Sequence, residues 1–574
     1  MIKTRHTKTD SALPLLSDRE PKETLKFVPL GGLEEIGRNM MFFEYRDEIV
    51  IIDAGLQFPE ETTPGIDYII PNVSYLETKK HNVRALILTH GHYDHIGAVP
   101  YVLQKLGNPP IFATGITKEI VLKRQEDFPN YPKAKIEVVK DGDEIKLGEY
   151  FTAAFFDVDH TIPDTSGVIL RTPVGNIAHF PDFKFDYDHE GKIRGLDRFI
   201  KVGKEGIHTL IIDSTNAEQE GISISERLVE KNLEELFKNA AGRVVVGTFG
   251  SLITRLGEII KIGSRLHRKV FVSGYSMKTN LQIAQNLGHL KFEKGTILPI
   301  EEIGKYKDEK VLVLCTGAQG EPNASLMKMV TGEHRFLKVK KGDTIIFSSS
   351  IVPGNERGVQ VLKDDFTRQG ARVYQSKYID IHSSGHAPKE ELKEVMRIVK
   401  PKFLIPVHGY YFMRSANKEN AEAAGIPAEN VLLMDNGQVA EATKTTFKIT
   451  SRTVDAYYVM VDGLGVGDVE KVVLRDRMVL AQEGMLVIIA TLDKATGRVL
   501  KNPDIISRGF IYLKENQEML NEIRSRIRGI FTRIPQHQEV EPDYLKTLIR
   551  DQIGQFLYNK THRRPMILPV VIEI

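Results

Sequence analysis

The chain has 574 residues, with 78 Lys and Arg against 76 Asp and Glu, for a formal net charge of +2. Hydrophobic residues make up 41% and charged residues 27%, which excludes a collagen-like, mucin-like or wholly disordered chain. A lone cysteine, Cys315, excludes an intramolecular disulfide and a Cys-rich zinc finger, and no apolar run reaches the ~20 residues of a membrane span.

Residues 1–24 are polar, carry Lys3, Arg5 and Lys8 and lack the apolar stretch of a signal peptide, so they read as a flexible arm on a cytoplasmic protein. Short β-branched runs follow at Phe27–Leu30, Ile49–Ile52 and Ala85–Leu88. A helix is expected from Ile96 to Leu106, closed by Gly107. Near residue 213 the texture changes. Ser223 and Glu226 have the spacing of a capping box, and Val229, Leu233, Leu236 and Phe237 then share one helical face. Strands expected at Arg243–Thr248, Lys269–Ser273, Val311–Leu314, Thr344–Ser349 and Phe403–Val407 alternate with helices, the pattern of parallel βαβ units. The polar passage 441–454 reads as a linker. A small α+β unit closes the chain, with a strand at Met485–Leu492 and helices at Asn516–Phe531 and Asp543–Leu557. The whole is α/β.

The strongest chemical signal is Leu88-Thr-His-Gly-His-Tyr-Asp-His95, which sets His90, His92, Asp94 and His95 just past an apolar strand. A loop at a strand end lets neighbouring side chains converge, where a regular strand would send them to opposite faces. Imidazole with carboxylate suits Zn²⁺, and Mn²⁺ competes. The same arrangement, a polar group just beyond an apolar run, recurs at His160, Asp182 and His408. Together with the first window these fit a two-metal site.

The series His-x-His-x-Asp-His, a later His, a later Asp and a distant His resembles the metallo-β-lactamase motifs. Asp53, in Ile51-Ile-Asp-Ala-Gly55, matches the first of them, a carboxylate that supports the metal loop from behind. Further motifs lie at expected strand ends: Asp213-Ser-Thr-Asn216, Thr248-Phe-Gly-Ser251, Gly274-Tyr-Ser-Met277, Ser348–Glu356 and His382-Ser-Ser-Gly-His386. They resemble the β-CASP insert, with Asp213, His386 and His408 at its motifs A, B and C. Gly31–Met40, Pro64–Asp67, Asp182–Asp186, Thr316–Pro322, Val461–Asp468 and Asp504–Phe510 carry a resemblance to the ribonuclease J family over about 95% of the chain.

That resemblance implies a metallo-β-lactamase αββα sandwich over 25–215 and 376–440. A β-CASP domain would fill 216–375, and 455–574 would be a C-terminal α+β domain supporting RNA and a homodimer or homotetramer. It implies two Zn²⁺ per subunit, with Mn²⁺ or Mg²⁺ as alternatives. His90, His92 and His160 would hold one ion and Asp94, His95 and His408 the other, with Asp182 between them. Asp94, Asp182, Asp213 and His386 are the expected catalytic residues. Phe249, Gly250, Ser251, His382, Ser383, Ser384, Gly385 and His386 are expected to grip RNA phosphates. The implied activity is 5′-to-3′ exonuclease action favouring 5′-monophosphate ends, with endonuclease action, in RNA maturation and decay.

Five positions depart from the family pattern. Tyr93 stands where Glu is usual, Pro181 where Gly is usual, Leu252 and Thr254 where Asn and His are usual, and Tyr275 where Arg is usual. The last three alter polar groups near the expected RNA path, and the metal ligands are intact. The competing expectations are a lactamase-fold hydrolase of small esters or thioesters and a non-catalytic RNA-binding paralogue.

Overall fold

A computed structural model describes residues 23–59, 63–352, 354–463, 465–467, 471–493, 500–511, 516–533 and 541–574. The chain divides into two compact units, Met1–Phe58 with Ile69–Val459, and Pro59–Tyr68 with Met460–Ile574. The expected flexible arm lies almost wholly outside the described residues.

The first unit is built on two facing sheets. In one, Leu25–Gly31, Met40–Tyr45 and Glu48–Ile52 run antiparallel, and Val83–Leu88, Ile111–Ala113 and Ile136–Val138 continue in parallel. In the other, Glu144–Lys146, Thr152–Asp157, Ser166–Thr172 and Gly175–Phe180 are antiparallel, then Ile207–Asp213 and Phe403–Val407 join in parallel. Alternation along each strand splits its apolar residues between two faces. Phe27, Phe43, Val50 and Ile87 of the first sheet meet Phe155, Val168, Leu170, Ile177, Ile211 and Ile405 of the second in one buried cluster. The next residues along, Phe156, Ile169, Phe180, Leu210, Ile212 and Leu404, face the other way. They pack on Phe199 and Val202 of the helix Leu196–Lys204 and on Leu392, Val395 and Met396 of the helix Lys389–Val399. This is the expected αββα layering.

The neighbouring strands Ile207–Asp213 and Phe403–Val407 are separated by nearly two hundred residues of sequence, and the inserted region is spliced between them. Its six-stranded sheet is parallel, in the order Ile297–Leu298, Lys269–Ser273, Val311–Cys315, Val244–Gly247, Thr344–Phe347, Arg372–Gln375. Arg243 and Asp343, both almost fully buried, pin two of these strands. Arg243 Nε donates to Asp343 Oδ1 at 2.8 Å, and Asp343 Oδ2 also accepts from the Lys340 N–H at 2.8 Å. Removing one partner strands a buried charge. Asp343→Ala should therefore cost about 3–5 kcal/mol, read by urea unfolding of the full chain.

In the second unit, Asp504–Arg508, Met485–Leu492 and Met566–Glu573 form a sheet whose Leu486, Ile488 and Ala490 pack on Ile523 and Ile527 of the helix Gln517–Thr532. Ile549 and Ile553 of the helix Pro542–Thr561 complete that core.

Three expectations are corrected. The passage 441–454 is not a linker: Gln438–Ala442 and Phe447–Thr453 pair as a hairpin on the edge of the first sheet, and Phe447 enters its core. Thr443, Lys444, Thr445 and Thr446, which gave the passage its polar look, form only the turn. The helix expected from Ile96 to Leu106 is broken into Tyr93–Ile96 and Val99–Val102, because Pro100 lacks the N–H that a continuous helix would use. Gly107 does turn into the left-handed region, at φ 82°. The helix Glu226–Asn239 is capped by Ser225, whose side chain accepts from the Leu228 N–H, and not by Ser223. Ser223 is occupied by Glu391, and Glu226 by two cations described below.

Candidate metal centre

Seven side chains predicted as ligands come together although they span more than three hundred residues of sequence. The loop after Val83–Leu88 brings His90, His92, Asp94 and His95, and the turn after Thr152–Asp157 brings His160. Asp182 follows Gly175–Phe180, and His408 follows Phe403–Val407. One ring nitrogen or carboxylate oxygen from each of His90, His92, His160 and Asp182 lies within 4.8 Å of the others, and the same holds for Asp94, His95, Asp182 and His408. Asp182 belongs to both sets. Its Oδ1 stands 3.3 Å from His95 Nε2 and 3.1 Å from His408 Nδ1, and its Oδ2 stands 3.6 Å from His90 Nε2.

The outward ring nitrogens are held from behind. His95 Nδ1 lies 2.7 Å from Asp53 Oδ2, His90 Nδ1 3.1 Å from Thr89 Oγ1, and His160 Nδ1 2.7 Å from the Gly385 carbonyl. Asp53 in turn accepts from the Thr89 N–H and hydroxyl. Such partners fix which nitrogen faces inward. His90 Nε2 and His160 Nε2 each stand 3.1 Å from His92 Nδ1, close to the ~3.3 Å edge of a tetrahedron with zinc–nitrogen bonds of ~2.0–2.1 Å. Asp182 Oδ1 and His408 Nε2 are buried without a hydrogen-bond partner. Buried polar atoms are normally satisfied, so a donor set of this kind suits a divalent metal ion.

Local backbone chemistry makes the convergence possible. Asp53 and His408 sit in the left-handed region, at φ 61° and 51°, a strained state that side chains tolerate where surrounding contacts fix it. A Cβ on Gly55 would lie 1.6 Å from the Asp94 carbonyl oxygen, and one on Gly385 would lie 2.4 Å from His160 Cε1. Only glycine lets either backbone pass.

Charge is balanced inside the cluster. Burial pushes His90, His92 and His160 below the usual imidazole range, helped at His90 by His95 and at His160 by His92, so these rings stay neutral as ligation requires. Burial opposes charge on Asp182 too, yet His408, His95 and His386 hold it well below the usual carboxylate range. At His95 burial is outweighed by Asp182, Asp94 and Asp53, which lift it to about 10. His408 is raised as well, chiefly by Asp182, so a cation held by these two rings would take the place of their protons.

Asp213 and His386 adjoin this cluster. His386 Nδ1 lies 2.8 Å from Asp213 Oδ2, and its Nε2 lies 3.9 Å from Asp182 Oδ2. Asp213 Oδ1 accepts from the Thr215 N–H and hydroxyl and lies 3.3 Å from His408 Nδ1. In the same loop, Ser384 Oγ accepts from Asn216 Nδ2, and Ser383 Oγ accepts from Lys184 Nζ. Phe249, Gly250 and Ser251 are half-buried at the C-terminal end of Val244–Gly247, beside the start of the helix Tyr275–Asn286, where Asn280 Nδ2 donates to the Gly250 carbonyl. Leu252 is buried, whereas Thr254 and Tyr275 are exposed.

His382 differs from its neighbours. It is 8% exposed, and burial with the adjacent Arg255 pushes it down to about 3. A neutral ring offers a phosphate no charge. Because an unfolded chain protonates this histidine near 6.5, the folded state loses stability as pH falls from about 6.5 towards 3. Between pH 7 and 5 the wild type should lose about 2 kcal/mol more than His382→Asn in urea unfolding.

Sequence reading missed several participants. Thr89 and Asn39 contact the cluster, and Glu391 ties Phe185, Tyr187 and Ser223 together. His179 is buried with both ring nitrogens unpartnered, in a small cavity it shares with Asp53, His95, Asp182, Asp213 and His408, and burial lowers it to about 4. Thr89 and Asn39 lie inside motifs already singled out, whereas for His179 the available signal is alternation along Gly175–Phe180, which puts it on the inner face.

Four family models match the chain: "Metallo-beta-lactamase superfamily" over 34–177, "Ribonuclease J, beta-CASP domain" over 241–366, "Zn-dependent metallo-hydrolase RNA specificity domain" over 375–431 and "Ribonuclease J C-terminal domain" over 472–574. The chain is 36% identical to Ribonuclease J 1 of Streptococcus pyogenes serotype M3 over 553 residues, which cover 96% of it and 98% of that relative. The chain belongs to the ribonuclease J family. It is 35% identical to Ribonuclease J2 of Bacillus subtilis, over 96% of the chain and 99% of that relative. A crystal structure of a protein of unknown function from Enterococcus faecalis V583 shares the fold at TM-score 0.51 and 15% identity, covering 74% of this chain and all of that one. As a member of the ribonuclease J family the chain is a hydrolytic ribonuclease, and its His/Asp cluster suits a divalent metal ion. None of the described helices is long and apolar enough to cross a membrane.

Proposed function

We propose that this ribonuclease binds two Zn²⁺ per subunit and degrades RNA from the 5′ end, favouring a 5′-monophosphate, with endonuclease action as well. It would serve RNA maturation and decay in the cytoplasm as a homodimer or homotetramer. The observation that carries the catalytic part is one carboxylate, Asp182, shared by two converging donor sets, with the Asp213–His386 pair against it. His90, His92 and His160 would hold one ion, and Asp94, His95 and His408 the other.

Two bound divalent ions would supply Lewis acidity, making water nucleophilic near neutral pH and offsetting charge on the phosphate. The residues do the rest. Asp53, Thr89 and the Gly385 carbonyl orient the ligand imidazoles. Asp213 fixes the His386 ring through Nδ1 and leaves Nε2 on the side of Asp182, where an imidazolium can hold a phosphate oxygen or give its Nε2 proton to the leaving oxygen. The Ser- and Gly-rich turns at the strand ends of the inserted sheet supply N–H groups and hydroxyls suited to the RNA backbone.

Metal analysis coupled to cleavage of 5′-labelled RNA tests this reading. About two metal equivalents per chain are expected, with labelled mononucleotide released fastest from the monophosphate end and more slowly from triphosphate and hydroxyl ends. Equal rates at all three ends would remove the 5′ preference. Turnover of thioesters but not RNA would overturn the assignment.

A further inference from the structure

The loop 381–386, which carries His386 and lends the Gly385 carbonyl to His160, is held at two points by one carboxylate outside it. Glu226 opens the helix Glu226–Asn239, the first helix of the inserted region. Its Oε1 accepts from Lys184 Nζ at 2.6 Å, and its Oε2 accepts from Arg255 Nε at 3.1 Å. Lys184, two residues past Asp182, passes the connection on by donating to Ser383 Oγ at 2.9 Å. Arg255, from the helix Ile253–Arg265, donates through Nη1 to the Ile381 carbonyl at 3.2 Å. Ser348 Oγ, at a strand end of the inserted sheet, donates to the same carbonyl at 2.6 Å.

Lys184 and Arg255 are each at most 5% exposed, so both cations depend on this carboxylate for compensation. A buried cation without its anion is costly, and each would draw on other acceptors, moving the loop. Burial would raise Glu226, but Arg255 and Lys184 hold it down at about 2, so the bridge is charged at every working pH.

We propose that Glu226 is a positioning residue: through Lys184–Ser383 and Arg255–Ile381 it sets the loop that presents His386 to the scissile phosphate, joining the inserted region to the metal loop. This rests on the RNA-cleaving reading above. Displacing a catalytic group by about 1 Å can cost up to ~10²-fold, and a tethered loop should lose less, about tenfold.

The test is a double-mutant cycle on the full-length, metal-loaded protein with 5′-monophosphorylated RNA. Glu226→Gln should lower kcat about tenfold with unchanged metal content, and should have no further effect in a His386→Ala background. A merely structural role, acting by reducing the folded fraction, would lower activity equally in both backgrounds and would overturn the proposal. Unchanged kcat in Glu226→Gln would overturn it too. If Glu226→Gln does not accumulate as folded protein, Ser383→Ala carries the same cycle at the far end of the Lys184 bridge, and full activity or additive losses there would overturn the proposal. Absence of RNA cleavage by the wild type itself would instead refute the functional reading.

Discussion

Asp182→Asn is expected to abolish RNA cleavage, with kcat/KM falling at least about 10³-fold and bound metal falling with it, while the chain stays folded. The carboxylate is the one group common to both donor sets, and its two oxygens face different histidines: Oδ1 faces His95 and His408, and Oδ2 faces His90. Asn keeps the shape but removes the charge and replaces one oxygen with a donor that cannot ligate. Five imidazoles would then surround a neutral amide, and the lost negative charge would disfavour cation binding further. His92→Ala should lose activity to the same extent but leave the second set, Asp94, His95, Asp182 and His408, able to retain metal. Inductively coupled plasma analysis beside an RNA cleavage assay separates the two variants. Wild-type turnover by either would refute the placement of the chemistry.

The centre was legible in sequence because its chemistry sits at strand ends. His90–His95, His160, Asp182 and His408 each follow an apolar run, and a strand that ends at a sheet edge delivers its next residue to a common rim. The αββα sandwich and the parallel inserted sheet were legible for the same reason, since buried strands show as continuous apolar runs. What escaped is what depends on pairing across distance. Phe447 lies in a strand that looks polar because Lys448, Ser451 and Thr453 are exposed along it while Phe447 alone is buried. Glu226 has helix-start spacing from Ser223 but is claimed by Lys184 and Arg255, tens of residues away along the chain. His382 reads as half of a histidine pair, yet it is buried beside Arg255, where charge is disfavoured, while His386, four residues on, is held by Asp213. A local spacing rule cannot distinguish two histidines whose difference lies in partners brought from Asp213 and Arg255.

His386→Ala is expected to slow cleavage about 10²–10³-fold while leaving metal content unchanged. Exposure distinguishes this ring from four of the expected ligand histidines. Its side chain is 20% exposed, against 0–3% for His90, His95, His160 and His408, so it faces the side from which a substrate arrives. Its Nδ1 is taken by Asp213, which leaves a single nitrogen free for chemistry. Burial disfavours its charge, but Asp213 and Asp182 outweigh burial and raise it above the usual imidazole range. The protonated form therefore persists to higher pH than in a free imidazole, and it is lost as pH rises through the raised value. If His386 Nε2 supplies a proton or a positive charge to the phosphate, wild-type activity should fall on the alkaline side and His386→Ala should lack that limb. Asp213→Asn, which removes the charge that holds the proton, should move the same limb to lower pH. Loss of metal from His386→Ala would instead make the ring a ligand, and an alkaline limb that persists in that variant would place the titrating group elsewhere.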